Sequence, residues 1–447
     1  MIQGATFSSG RGAEVLVDVA DSVSISNGDS PPLSFITGTS KGSGDAGNIT
    51  INAGTLTLSH GGVITSNALS SGNGGEITLG VKGALTIDAG LGRYDTTVNS
   101  AAAPESSGSA GSVRVSAGSV SVLNGGSISS SAFGTGAGGP VLVRTPGLLL
   151  LDGGGGGGTE IAASARGTGA QAGSAGTVTI SAGTVTVQGG AQIASATLGP
   201  GGGGNVGVTA GSAIRLSGVG PQINATSTGT GAAGSISVSA PQLSLRDRAG
   251  ISTQAQAANG GNITIGPGDL LYLQSSSITT SVGGALGNGG NIAVEPRLVV
   301  LDRSVIQANA VGGNGGNVQI RADQLVQSFD SAITASSQRG VSGDIFIAAQ
   351  PLNLNGSLVV LASELRAAAA LLREGCAARG ASPRSSLVVA GRGGQRQGLE
   401  ATLPALYFAG RPVRDGADTA PRQSVAPVPE ASVAPTHISL NLSGQCG

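Results

Sequence analysis

Tryptophan is absent from the 447 residues, and aromatic side chains together make up only 2%. A compact globular core of this size is normally built around large side chains, so this core must be thin and filled by Ile, Val, Leu and Ala. Lysine is almost missing, and 23 Lys plus Arg against 24 Asp plus Glu leave a formal net charge of -1. There is no basic stripe with interleaved aromatics, which argues against a nucleic-acid partner. No apolar run reaches about 18 residues, so no transmembrane helix is expected. The opening residues, MIQGATFSSGRGAEV, have neither the basic nor the apolar region of a signal peptide. The expectation is a protein that stays inside the cell, or the downstream part of a longer exported one.

What the chain has in abundance is glycine, 80 residues of it. Unperiodic glycine at this level would point to disorder, but here it falls in register with short apolar alternations. The stretch Gly47 to Ala68, GNITINAGTLTLSHGGVITSNA, holds three of them: Ile49/Ile51, Leu56/Leu58, and Val63/Ile64 running into Thr65 and Ser66. A period of two marks a half-buried strand. Three such strands cannot bury an apolar face alone, but stacked copies can. Copies start at Gly74, Gly111, Gly139, Gly176, Gly204, Gly234, Gly261, Gly290, Gly316 and Gly343. The step is about 26 to 30 residues, lengthened to roughly 36 by inserted loops, which is solenoid spacing.

The third strand is the best ruler. Ile36, Ile64, Val98, Ile128, Ile161, Ile193, Ile223, Ile251, Ile278, Ile306 and Ile333 fall once per copy and are usually followed by small polar residues. One large, mostly β-branched residue per copy at one angular position predicts an inward ladder. The predicted fold is therefore all-β, a single-stranded parallel β-helix of about twelve coils. At about 4.8 Å per coil it makes a rod of about 55 to 60 Å. The length alone suggests about three domains, but a solenoid grows by coils instead.

Residues 1–360 read as the array, with Val15/Val17, Val23/Ile25 and Phe35/Ile36 already forming an opening coil. An uncapped first coil is an open sheet edge. Asn48, Asn205, Asn262, Asn291 and Asn317 follow a glycine at one corner, where side-chain stacking or a left-handed backbone would suit them. Insertions at 92–107, 153–158 and 197–203 should project as loops. Residues 361–410 read as a cap: a helix from Ser363 to Gly375 with Leu365, Ala369 and Leu372 on one face, then short strands. Residues 411–447 read as a Pro/Ala-rich flexible tail.

Candidate chemistry is sparse. Asp152, Asp247 and Asp302 recur just after the second strand, near Arg246, Arg248 and Arg303. They could line one edge of the rod as a carboxylate site, or serve as corner residues that accept backbone N–H bonds or pair with arginine. His60, before Gly61-Gly62, reads as an exposed turn residue, with no second His or Cys nearby to complete a metal site. Gly44-Asp45-Ala46-Gly47-Asn48 lacks the repeated Asp of calcium-binding turns, and no glycine-rich turn carries the Lys-Ser/Thr of a phosphate loop. No cofactor and no metal are expected.

The repeat GNITI-AG-LTL-GG-I-S-A resembles that of filamentous haemagglutinin-like proteins, the exoproteins of bacterial two-partner secretion. The closing segment, Cys376 followed by Ser385-Ser386-Leu387-Val388-Val389 and Gly391-Arg392-Gly393-Gly394, is similar to the C-terminal signature of that group. The resemblance covers about Gly47 to Gly394. It implies a right-handed β-helix and export through an outer-membrane transporter. It also implies a non-enzymatic adhesin, secreted or held at the cell surface in association with the outer membrane, that meets glycans or proteins of host cells and surfaces. The family's N-terminal secretion domain, with its Asn-Pro-Asn-Gly motifs, is not found here, so a truncated or split gene is expected. In an exported chain the two cysteines, Cys376 and Cys446, form a candidate disulfide; the alternative is two unpaired thiols. The competing function is a polysaccharide-active, pectate-lyase-like β-helix enzyme.

Overall fold

A computed structural model of the chain describes residues 1–27, 34–90, 95–155 and 158–351. Every strand pairing in it is parallel and joins residues about one copy apart. One sheet has 12 strands and carries the third alternation of each copy; the other has 15 and carries the first two. The twelve strands of the first sheet bound about eleven turns of a β-solenoid, against the twelve coils expected. No helix occurs among the described residues. The helical cap over 361–410, the tail, Cys376 and Cys446 lie outside the described residues.

The predicted ruler is in register from end to end. Ile36 pairs with Ile64, Ile64 with Val98, Val98 with Ile128, Ile128 with Ile161, and so on to Ile306 with Ile333. Ile2 adds one rung below Ile36. Ile64 through Ile306 are wholly buried in this column. The facing columns come from the long strands: Val178 and Ile180 on the first face, Val185 and Val187 on the second. These join the ladder isoleucines in one continuous cluster. Fully burying such a side chain stabilises by about 1.5–3 kcal/mol, and here the burial needs the neighbouring lap on each side.

The first two alternations were expected as separate strands. In most laps they form one strand bent at a corner, as in Ile49–Ser59, Ile77–Asp88 and Val178–Gln188, with the register shifting at the bend. Three laps do divide: Ile236–Ser239 from Gln242–Arg246, Ile263–Ile265 from Leu270–Gln274, and Ile292–Val294 from Leu298–Asp302. Pro241, Pro267 and Pro296 stand at those corners. Proline has no N–H for the ladder. Pro146 occupies the same corner of Val141–Asp152 without ending that strand.

Two polar columns close the corner that leads into each new lap. The small polar residue two places after the ladder isoleucine points inward, and its hydroxyl donates to the carbonyl of a corner glycine: Ser66 to Gly47 (2.6 Å), Ser130 to Gly111 (2.6 Å), Ser195 to Gly176 (2.9 Å), Thr280 to Gly290 (2.6 Å). The N–H of Gly75 in turn donates to Ser66 Oγ at 3.1 Å, so buried backbone groups at this tight bend are satisfied. The glycines themselves are stacked so closely that a Cβ on Gly139, Gly176 or Gly204 would run into the backbone carbonyl of the glycine one lap earlier. The corner asparagines form a ladder as expected: Asn262 Oδ1 accepts from Asn291 N–H (2.8 Å), Asn291 from Asn317 (2.8 Å) and Asn317 from Asp344 (2.9 Å). They do not adopt the left-handed backbone; that conformation falls at the other bend, on His60, Asn124, Asp247, Arg248, Ser275 and Arg303.

Candidate binding groove on the third face

Along each short strand the ladder isoleucine faces inward, so the residues on either side of it face out. In successive laps these are Thr97 and Asn99, Ser127 and Ser129, Glu160 and Ala162, Gln192 and Ala194, Gln222 and Asn224, Gly250 and Ser252, with Thr226 and Gln254 next on the same side in the last two laps. Almost all are small or polar. Several are hidden despite facing out: Ala162 is 1% exposed, Ser164 2% and Ser252 3%. They form the floor of a recess.

One wall is the column just after the third strand. Lap-to-lap N–H bonds stack Phe7, Lys41, Leu69, Phe133, Arg166 and Leu198 along this edge, with Ala103 between Leu69 and Phe133. Twice a cation rests on an aromatic ring: Lys41 Nζ is 4.9 Å from the Phe7 centroid, and the Arg166 guanidinium 5.7 Å from that of Phe133. The described part of the opposite wall is turn residues Gly90, Asn124, Gly125, Gly153 and Gly154, which between them carry one side chain. The recess there holds about 550 Å³ across three laps. A second hollow of about 330 Å³ continues over Gln192, Asn224, Ser252 and Gln254. Glu160 and Arg166 line both.

Glu160 is the distinctive group. Burial pushes its carboxyl above the usual carboxylate range, because the charged form loses hydration; Arg166 nearby opposes this only in part. Arg166 Nη2 stands 4.0 Å from Glu160 Oε1, too far for a hydrogen bond. No described residue donates a hydrogen bond to this carboxylate. The surrounding amides and hydroxyls pair along the rod: Ser127 Oγ with Thr97 Oγ1 (2.8 Å), Ser129 Oγ to Asn99 Oδ1 (3.2 Å), Asn224 Nδ2 to Gln192 Oε1 (3.2 Å). Such a surface can exchange these bonds for bonds to a polar ligand.

The carboxylates singled out in the sequence are not brought together. Asp152 and Asp302 end second-face strands five laps apart, about 24 Å by strand spacing. Asp152 accepts from Gly154 N–H (2.9 Å) and Gln188 Nε2 (2.8 Å). Asp302 accepts from Gln274 Nε2 (3.2 Å) and lies 3.4 Å from Arg303 Nε. Asp247 and Arg248 are turn residues with positive φ. Arg246 packs on the Tyr272 ring at 5.0 Å. His60 is exposed in its turn. Asp45 accepts from Asn73 N–H at 2.8 Å in a loop ladder. No cluster of three or more His, Cys, Asp or Glu that could hold a metal occurs among the described residues. Of the expected loops, 97–102 is a strand of the short sheet, because Val98 takes its place in the ladder; Gly153 and Gly154 do border the recess.

Sequence reasoning missed Glu160, Phe133 and Arg166. The signal was present: Phe133 and Arg166 are one lap apart, each the first residue after a third strand, and an alignment of copies on the ladder isoleucine puts them side by side. The fold and groove define a parallel β-solenoid with a polar recess on one face. Comparison with known protein families, with curated proteins and with solved structures finds no match.

Proposed function

We propose that this chain is a non-enzymatic attachment rod of the filamentous haemagglutinin-like kind, carried out of the cell by an outer-membrane two-partner secretion transporter and displayed at the surface. The third face and its bordering loops make the contacts with surface glycans or proteins. The observation that carries the reading is the recess itself: six laps of hydroxyl and amide side chains held at fixed spacing on a rigid ladder. A repeated polar surface suits many weak contacts made together. Right-handed winding and a helix within 361–410 belong to the same reading. The test is adhesion of beads coated with the full chain to bacterial and animal cells. Beads that adhere no better than albumin-coated ones would end it.

A polysaccharide-active enzyme has one observation in its favour. Asp95 and Glu160 both line the larger hollow. Asp95 stands two residues before Thr97, which is in register with Glu160 two laps on, so the two carboxyl groups are at least about 10 Å apart along the rod in the free protein and would have to close up on a substrate. An inverting hydrolase sets its two carboxyl groups about 6.5–9.5 Å apart. The raised Glu160 carboxyl would suit a proton donor. Release of reducing ends from a soluble polysaccharide, lost in Glu160→Gln and Asp95→Asn, would establish this reading; no release from any polymer would remove it.

A further inference from the structure

We propose that the third-face groove, from the Thr97–Ala102 strand to the Ala249–Ala255 strand, binds a neutral, hydroxyl-rich polysaccharide whose chain lies along the rod axis. The assignment rests on the attachment reading above and names the ligand class for that surface.

The direction follows from the geometry. The two hollows meet at Glu160 and Arg166 and together cross six laps, about 24 Å at 4.8 Å per lap. Recess and rod run the same way, so a linear polymer lies in it lengthwise and meets equivalent positions at each lap. The strands beneath are paired on both sides by lap-to-lap backbone bonds. An extended peptide therefore finds no free sheet edge to join and no row of backbone partners.

The ligand must both donate and accept hydrogen bonds. The floor offers Ser129, Ser164, Asn224 and Gln254 as mixed donors and acceptors. Glu160 offers acceptor oxygens that no described residue fills by hydrogen bonding, so a ligand that brings O–H groups supplies what it lacks. Sugar hydroxyls act in both senses. The Phe133 ring in the wall can take the apolar face of a sugar. Charge argues for a neutral chain. Among the described lining residues the larger hollow holds Asp95 and Glu160 against one cation, Arg166, so a polyanion would bring like charge to a poorly hydrated carboxylate.

Affinity electrophoresis of the full chain through gels containing dextran, hydroxyethyl cellulose, galactomannan, polygalacturonate or chitosan tests this. At least one neutral polymer should retard the protein, and the double variant Gln192→Ala/Asn224→Ala should weaken that binding about tenfold or more. Both side chains lie on the outer face, and an unchanged melting temperature checks that the laps are intact. Glu160→Gln, which keeps the shape of the side chain, should also weaken binding and serves if the double variant fails to fold. No retardation by any neutral polymer, stronger retardation by polygalacturonate or chitosan, or equal retardation of wild type and variants would overturn the proposal. The bead assay separates the two ideas. Adhesion that persists in both variants, with no neutral polymer retarding the chain, overturns the groove and leaves attachment standing. Retardation without adhesion overturns attachment and keeps the groove.

Discussion

Two glycines 31 positions apart should respond to alanine in opposite directions. Gly176 stands in the corner column, where an added Cβ would lie on the Gly139 carbonyl and 2.8 Å from that of Gly138. Those atoms cannot retreat. Val141 N–H donates to Thr177 at 2.8 Å on one side, and Val178 N–H donates to Asn205 at 2.9 Å on the other. Relief requires the laps to part, which strains or breaks these two bonds at about 0.5–1.5 kcal/mol each, in addition to an overpacking cost of about 1–3 kcal/mol. Gly176→Ala should therefore destabilise by about 2–6 kcal/mol. Gly207, in the strand Val206–Ser217, has nothing within 4 Å of an added Cβ and no positive φ. Gly207→Ala should stabilise by about 0.4–1 kcal/mol through the unfolded chain. Urea unfolding of the full chain, followed by far-UV circular dichroism, compares the two. Because each lap leans on its neighbours, the Gly176 variant should also broaden the transition as laps next to the defect open first. Equal midpoints, or a Gly176 variant as stable as wild type, would refute the stacking argument.

Thr197 has a buried hydroxyl with no hydrogen-bond partner, so Thr197→Val should leave stability unchanged or raise it by about 1 kcal/mol; a melting temperature clearly below wild type would contradict this. Glu160 titrates above its unfolded value, so the folded state binds the proton more tightly. Its stabilising contribution is complete below the unfolded pKa and is lost as pH rises through the folded one. Glu160→Gln should match wild type at pH 4 and be the more stable at pH 7; a gap that is the same at both values would count against the desolvated carboxyl. Ile161→Ala, mid-ladder and wholly buried, should cost about 2–5 kcal/mol. Ile333→Ala, half-buried at the last rung among the described residues, should cost less, as read from denaturation midpoints, and a reversed order would contradict the ladder.

The ladder was legible because a strand has a strict period of two and a solenoid a strict lap, so Ile128, Ile161 and Ile193 declare both at once. The continuity of the first two alternations was not, because Gly54 and Gly183 look like turns in a sequence and prove to be bends within a paired strand. Of the two roles open to the asparagine column, stacking is the one it fills: Asn262 and its neighbours are held by bonds to the next lap, while positive φ gathers where the second face turns into the third. The groove was hidden for a different reason. Phe133, Glu160 and Arg166 belong to two laps and meet only when those laps are stacked, so no local motif contains them. Asp152 and Asp302 share a local motif, yet stacking sets them far apart.

The glycine column makes the laps interchangeable. Gly139 and Gly176 occupy the same place against their predecessors, so removing the 37 residues from one to the next would rejoin the chain with every column still aligned. Duplication of such a segment would be equally silent. The length of the rod, and with it the reach of whatever it carries at its sides, is therefore open to selection by simple genetic copying, with no new packing problem to solve.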